Sequence, residues 1–382
     1  MFEHEATVVE SYSQEALYRL NVGFTLGQDL VHQALREVLR MSEPHKRDVY
    51  LAILLNGLMA RGASEEEITG LLTAAFEVDG FEPTACPRFQ VEGKKTVVVA
   101  GSGKKGFKTF NISTFACFVA ACDDVVILKP CARSTSSKTG SADLADLLGI
   151  QPLAEDRICE TAKRLNIGLF SIEQLIPRFD GLYGGRFFAP HALSFALAGL
   201  TVPVRADKLL YGLAHPNLPL ALKVFRAFQV PSALVVTSTY DGIHYVDETL
   251  PFGVSYFQGY REGATIGRLV NVETHRELGL PSYDRRAIAQ ESDPKANVLK
   301  GLRALMGLGD LAACDTLCLG AANILYLAGR TATLRDGYER ACEIVRAGEP
   351  LDRLFEYIRN TGGDTAVLST LLRELSDARS CA

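Results

Sequence analysis

The stretch KKTVVVAGSGKKGFKTFNIST, residues 94–114, runs from a β-branched segment through a glycine-rich turn into a cluster of hydroxyl and amide side chains. Val97 to Ala100 reads as a short buried strand. Gly101-Ser102-Gly103 lets the backbone turn and approach an anion closely, and the N–H groups opening the next helix would favour negative charge there. The glycines at 101, 103 and 106 have G-x-G-x-x-G spacing, which alone is weak evidence and equally fits a solvated turn. What stands on either side decides between them.

Downstream, short apolar runs at Val125–Leu128, Leu209–Leu213, Leu234–Val236 and VSYF (254–257) alternate with helical stretches. That alternation implies an α/β fold with a mostly parallel sheet covered by helices. Ligands in such sheets gather at the carboxyl ends of the strands, where the opening stretch falls. Upstream, SQEALYRL, TLGQDLVHQALREVLRM, KRDVYLAILLNGLMARG and SEEEITGLLTAAFEV space their apolar residues near 3.6. Gly62 suits a helix end, and Ser64 before three glutamates suits a helix start. The expected division is a small helical domain over 1–92, which helices from about 160–200 would join, and an α/β domain over 93–382.

A chain of 382 residues is long enough for a sizeable core or two domains. Its net charge of −5 argues against a protein devoted to nucleic acid. Cysteines at 86, 117, 122, 131, 159, 314, 318, 342 and 381 form no C-x-x-C pair, so neither a zinc site nor a disulfide framework is indicated. The N-terminus carries acids and no apolar run, and no stretch reaches 18 uninterrupted apolar residues. A cytoplasmic protein, with no membrane partner, is the expectation.

The second strand leads into VVILKPCARSTSSKTGSADLADLLGI, residues 125–150. Lys129 and Arg133 at its end, then a row of hydroxyls and Gly140-Ser141 opening a helix, suit several phosphate oxygens at once, because charge-assisted hydrogen bonds are about twice as strong as neutral ones. A serine-rich linker is the bland reading of this segment alone. Two such loops after successive strands weaken it.

TFNIST at 109–114 and K-x-x-x-R-S-x-S-S-K-x-G-S-A-D at 129–143 resemble the donor-binding loops of the anthranilate phosphoribosyltransferase family, within the nucleoside phosphorylase-like superfamily. FFAPHAL (187–193) and CLGAANILYLAGRTATLRDGYERA (318–341) extend the likeness, which covers about residues 20–360. The resemblance implies a glycosyltransferase that moves a phosphoribosyl group from 5-phosphoribosyl pyrophosphate (PRPP) to an aromatic or heteroaromatic acceptor with Mg²⁺, as a homodimer paired through the helical domain. Carried over, Gly101, Gly103, Lys104, Lys105, Thr109, Asn111, Ile112, Ser113 and Thr114 would hold the donor. Lys129, Arg133, Ser136, Ser137 and Ser141 would form the second cradle, Lys129 and Arg133 acting electrostatically. Ser113 would also reach the metal.

Three departures stand out. Lys104-Lys105 replaces the family's Gly-Asp; if the first position needs φ > 0, a lysine there costs roughly 1 kcal/mol or more. With Lys108 these lysines either grip an anion or make a solvated tip. Pro130-Cys131-Ala132 replaces His-Gly-Asn, so Ala132 lacks the hydrogen-bonding group the family offers its acceptor, and an acceptor other than anthranilate is expected. Arg205, His191 and His215 are the remaining acceptor-side candidates, each also readable as structural. Third, the family's adjacent Asp-Glu metal pair is here either Asp247-Glu248, displaced by a longer loop, or lost to His244-Tyr245, with Asp241 as a fallback ligand. Asp123-Asp124 reads as an acidic turn, and Cys131 as a thiol with no expected covalent role, although Lys129 and Arg133 could lower its pKa. A non-catalytic relative binding nucleic acid through the basic loop is the alternative; a nucleoside phosphorylase is a third, with phosphate motifs unlike these.

Overall fold

The computed structural model describes residues 11–261 and 264–380; the first ten residues and Cys381 of the reading above lie outside the described residues. The four amphipathic patterns form α1 (Tyr12–Asn21), α2 (Gly27–Leu39), α3 (Pro44–Arg61) and α4 (Glu65–Glu77). Gly62 ends α3 at φ 92°, and Ser64 opens α4 with a reciprocal cap: its Oγ accepts from the Glu67 N–H at 3.2 Å while the Glu67 carboxylate accepts from the Ser64 N–H at 2.8 Å. Glu67 is fully buried, yet it also accepts from the Leu26 N–H at 2.7 Å and pairs with Arg61. A buried carboxylate is tolerated because its oxygens are all engaged, and it ties α4 to the start of α2.

The chain then runs β1 (Lys95–Gly101), α5 (Ile112–Ala121), β2 (Val125–Cys131), α6 (Ser141–Leu147), α7 (Glu155–Leu165), β3 (Ile167–Ser171), α8 (Ile172–Leu175), α9 (Pro177–Tyr183), α10 (Leu197–Leu200), β4 (Lys208–Gly212) and α11 (Leu218–Ala227). It continues through β5 (Ser232–Thr239), β6 (Tyr245–Val246), β7 (Val254–Arg261), β8 (Ala264–Val272), α12 (Thr274–Leu278), α13 (Pro294–Leu305), α14 (Leu311–Ala328), α15 (Leu334–Arg346), α16 (Glu349–Asn360) and α17 (Thr365–Ser380).

Strand order across the sheet is β3-β2-β1-β4-β5-β7-β8, with β6 beside β5. The pairs from β3 to β5 are parallel; β6, β7 and β8 pair antiparallel. Every strand read from the sequence is present, and β3 is a further strand that lies among the helices α7, α8, α9 and α10 of 155–200. Its five residues include Gly168, where an added Cβ would lie 3.3 Å from Ala162 of α7. Such a segment is made a strand by what packs on it rather than by its own propensity.

The chain leaves β1 toward β2 and β3 and returns to β4 on the other side. This reversal makes β1 and β4 a topological switch point, with a crevice beyond their carboxyl ends. The glycine-rich turn opens into it. On the sheet's face lies α5, whose residues are nearly all buried, backed by α13, α14 and α16. By length and composition α14 alone among the described helices would be apolar enough to cross a membrane, but 72% of it is buried inside the fold.

The segment after β3 is held to the N-terminal helices. Asp79 accepts from the N–H groups of Arg178 and Phe179, both at 2.8 Å, capping α9, and Arg186 pairs with Asp48 at 3.0 Å. This places the aromatic face of α9 above the strand ends.

Candidate active site

A cavity of about 360 Å³ opens at the carboxyl ends of β1, β2 and β4. Both loops read from the sequence reach it, one from Gly101 to Thr114 and the other from Lys129 to Ser141. Ile112 is the exception: 1% exposed, it packs into the core.

The local reasons are physical. Asn111, at the N-cap of α5, donates its Nδ2 to the Thr139 carbonyl at 3.0 Å instead of capping the helix; the Ile112 N–H donates to the Phe110 carbonyl at 2.8 Å, and the N–H groups of Ser113 and Thr114, whose residues line the cavity, have no side-chain cap. Behind them the Thr114 hydroxyl is buried without a hydrogen bond. Ser113 lines the cavity beside it. In the second loop Asp143 accepts from the N–H groups of Ser134 and Gly140, both at 2.9 Å, folding residues 132–140 back on themselves. Ser141 Oγ accepts from the Ala132 N–H at 3.0 Å, Ser136 Oγ from Lys108 at 2.9 Å, and Ser137 Oγ donates to the Thr139 carbonyl at 3.2 Å.

Charge is distributed unevenly. Lys129, 4% exposed on β2, has no carboxylate within ion-pairing distance among the described residues. Arg133 lies at the cavity's edge, but its guanidinium is held by Asp143 at 3.0 Å and by Asp146, and it is largely exposed. It therefore braces α6 and does not point free positive charge at the cavity, correcting its electrostatic assignment. Burial pushes the Cys131 thiol up and outweighs the lowering by nearby Lys129, in keeping with no covalent role. The eight described cysteines are all free.

Lys104 adopts φ 56°, the left-handed conformation anticipated for this position. Its ammonium donates to Tyr183 Oη at 3.4 Å and sits 5.7 Å from the centre of that ring. Burial, with Lys108 nearby, pulls its pKa down to about 8. Tyr183 Oη is also 2.8 Å from His191 Nε2. Burial and Lys104 keep His191 well below its ordinary value, while burial raises Tyr183, so the tyrosine donates to a neutral imidazole. His191 thus stands behind Tyr183 and outside the cavity lining. His215, half-buried, accepts from the Asn217 N–H at 3.1 Å and packs on Phe195.

Arg205 is corrected outright. It precedes β4, at the opposite end of the strand from the cavity, and donates to the Thr84 carbonyl at 2.8 Å. Asp123 likewise serves structure, held by Arg330 at 3.1 Å and Arg340 at 2.8 Å.

The acid pair that reaches the cavity is Asp247-Glu248. Residues 240–244 and β6 lead into it, and Asp241 turns back on this loop, accepting from the N–H groups of Ile243 and His244 and pairing with the His244 ring at 2.6 Å. Asp241 is exposed and stands outside the cavity lining, so it is not placed to serve as the fallback ligand. Asp247 crosses the ends of β1 and β4 so closely that a Cβ at Gly212 would come within 1.8 Å of its carbonyl, and one at Gly101 within 2.7 Å of its Oδ2. Oδ2 accepts from the Gly103 N–H at 2.9 Å. Asp247 Oδ1 is buried without a hydrogen bond, its ionic neighbour being Lys105 Nζ at 3.5 Å. Lys105 Nζ also lies 2.7 Å from Glu248 Oε2 and donates to Thr109 Oγ1 at 2.7 Å, and Thr109 donates in turn to Glu248 at 3.0 Å. The ammonium occupies the space a carboxylate-bridged metal would need. The acid pair in this arrangement does not fit one.

The opposite wall is apolar and was not read from the sequence. Ile172, Ile176, Phe179, Tyr183, Phe187 and Leu197 line it, with the Phe179 and Tyr183 rings stacked 5.0 Å apart. Long-range packing through Asp79 places them; the run of aromatics around GLYGGRFF was the one local signal. The cavity can therefore hold a polyanion against one side and a flat apolar ring against the other.

The chain matches the model of the glycosyl transferase family, a/b domain, over residues 93–351. It is 30% identical to the anthranilate phosphoribosyltransferase of Deinococcus radiodurans across 343 residues, covering 89% of this chain and 96% of the relative. The anthranilate phosphoribosyltransferase of Thermus thermophilus superposes with a TM-score of 0.70 at 24% identity, covering 90% of this chain and 98% of that one. The Saccharomyces cerevisiae enzyme, solved in complex with PRPP and Mg, gives 0.73 at 19% identity, covering 92% and 98%.

Proposed function

This chain belongs to the glycosyl transferase family as an anthranilate phosphoribosyltransferase-like enzyme, and on that premise we propose that it transfers the 5-phosphoribosyl group of PRPP to an aromatic or heteroaromatic acceptor. The observation carrying this reading is one cavity with an uncapped helix N-terminus and a buried unpaired ammonium on one side and stacked aromatic rings on the other. The bond from the anomeric carbon to pyrophosphate breaks, and a bond to the acceptor's nucleophilic atom forms. Negative charge grows on the leaving oxygens while the ribose becomes cation-like. Lys129, the α5 N–H groups, and the hydroxyls of Ser113, Thr114, Ser136, Ser137 and Ser141 would hold the pyrophosphate and ribose without reorganising. Magnesium would be held by the donor's phosphates together with Ser113, and would supply positive charge for the leaving group.

For the acceptor we propose an aromatic molecule other than anthranilate. Ala132 offers no polar side chain, Arg205 lies at the other end of β4, and Lys104 is the cation set against the aromatic wall. Missing one polar partner in a buried site typically costs about 1–3 kcal/mol. The proposed domains are 1–92, joined by helices from about 160–200, and 93–382; with α9 counted on the helical side, the two would meet at the cavity. A homodimer through the helical domain is part of the proposal, because exposed apolar side chains collect there: Tyr18, Val22, Phe24, Val49 and Ile53. Cytoplasmic residence is proposed with it. A nucleic-acid role gains no support from the loop lysines, since Lys105 is paired, Lys108 bonds Ser136 and Lys104 packs on Tyr183.

The test is pyrophosphate release from PRPP and magnesium across a panel of aromatic acids and azoles, anthranilate included. Donor-dependent release is expected, with some member of the panel exceeding anthranilate in kcat/KM. Anthranilate as the best substrate would refute the acceptor assignment, and thermal stabilisation by short DNA but not by donor would refute the transferase reading.

A further inference from the structure

Lys105 sits where two acidic side chains would otherwise converge on a cation. Its Nζ lies 2.7 Å from Glu248 Oε2, 2.7 Å from Thr109 Oγ1 and 3.5 Å from Asp247 Oδ1, so the ammonium is ion-paired with both carboxylates and donates to the threonine hydroxyl within one cage. The cage is buried: the Lys105 side chain is 17% exposed, those of Asp247 and Glu248 5% and 8%. The backbone is shaped for this. Gly103 and Lys104 both take positive φ, turning the chain so that residue 105 points back beneath the loop, and the side-chain-free Gly101 and Gly212 let Asp247 come down onto the strand ends. Thr109, buried and 7% exposed, locks the arrangement by accepting from the lysine and donating to the glutamate.

We propose that Lys105 is the permanent counter-ion of the Asp247-Glu248 pair and stands in for a carboxylate-held divalent ion, so that the metal this enzyme uses is held by the donor's phosphates and Ser113, without the acid pair. Two arguments carry it. Magnesium requires about six oxygens near 2.1 Å in octahedral array, and an ammonium already 2.7 Å from Glu248 occupies that volume. A divalent ion beside it would also meet direct repulsion in a site of low dielectric. The inference rests on the donor reading above only for the metal that accompanies the donor; the state of the acid pair is measurable without any donor.

The experiment counts Mn²⁺ by electron paramagnetic resonance of the free ion, in the full-length protein with and without PRPP. Wild type should bind no Mn²⁺ through the acid pair without donor, and its donor-complex count should be unchanged by Glu248→Gln. Lys105→Ala should open the cage and gain a donor-independent ion, with affinity at least about tenfold above wild type, and Lys105→Ala/Glu248→Gln should lose it again. Lys105→Arg should behave as wild type. Melting temperature gives a second readout: Lys105→Ala should melt lower than wild type without metal and recover on adding Mn²⁺. If Lys105→Ala fails to fold, the comparison of wild type with Glu248→Gln still decides. A donor-independent Mn²⁺ in wild type that Glu248→Gln abolishes, or a donor-complex count that drops by one in Glu248→Gln, overturns the proposal. Absence of PRPP binding altogether would overturn the transfer reading while leaving the donor-free comparison to judge the cage.

Discussion

Replacing Lys129 by methionine should stabilise the unliganded protein and weaken donor binding in the same variant. Lys129 is 4% exposed on a strand whose every residue is buried, and no carboxylate of the described residues pairs with its ammonium. Keeping such a charge out of water disfavours the folded state, and a methionine of similar length restores an apolar fit, which puts the expected gain at about 1–3 kcal/mol. Donor binding changes the other way. A hydrogen bond from a charged donor to phosphate is worth about 1.5–3 kcal/mol, so the dissociation constant for PRPP should rise roughly 10- to 150-fold. Urea unfolding without ligand measures the first quantity and titration calorimetry with PRPP and magnesium the second. A variant that is less stable than wild type, or that binds donor within about twofold of it, refutes the assignment of Lys129 as a cation kept for the donor.

Gly212→Ala should destabilise the protein by about 1–3 kcal/mol, because its Cβ would fall 1.8 Å from the Asp247 carbonyl and push the acid segment off the strand ends; a melting temperature equal to wild type would contradict that. Lys104→Gly should stabilise by about 1 kcal/mol through relief of its left-handed backbone, read by the same unfolding assay. In wild type the Lys104 pKa lies near 8 in the fold against 10.5 for a free lysine, so the unfolded chain holds more protons across that interval and stability should rise with pH between them. An anionic ligand contacting this ammonium should bind more weakly above about pH 8, and Lys104→Gly should flatten both profiles. Asp79→Ala removes the acceptor of two N–H groups at the start of α9 and should cost about 0.5–2 kcal/mol, with a larger effect on acceptor KM than on donor affinity.

How much of this site could be read from the sequence follows from how far each piece lies from its own determinants. The two loops were legible because strand, glycine turn, hydroxyls and helix start are consecutive, and a strand end in a parallel sheet fixes where they go. Asp247-Glu248 was legible as a pair, but its register was not, since that depends on how residues 240–246 are absorbed. Asp241 closes its own turn and β6 pairs back on β5, which returns the chain over Gly101 and Gly212. The aromatic wall was hidden because α9 is positioned by Asp79, about a hundred residues earlier in the chain. Arg205 shows the same limit within a single element. It lies seven residues before Gly212, about 23 Å along an extended chain at 3.3 Å per residue, so an assignment to the right strand still chose the wrong end. Lys105 marks the deeper limit: sequence showed a lysine in place of an acid and left open whether it faced solvent or an anion. The structure places it against the carboxylates of its own chain, a third arrangement that only the meeting of three separate segments could reveal.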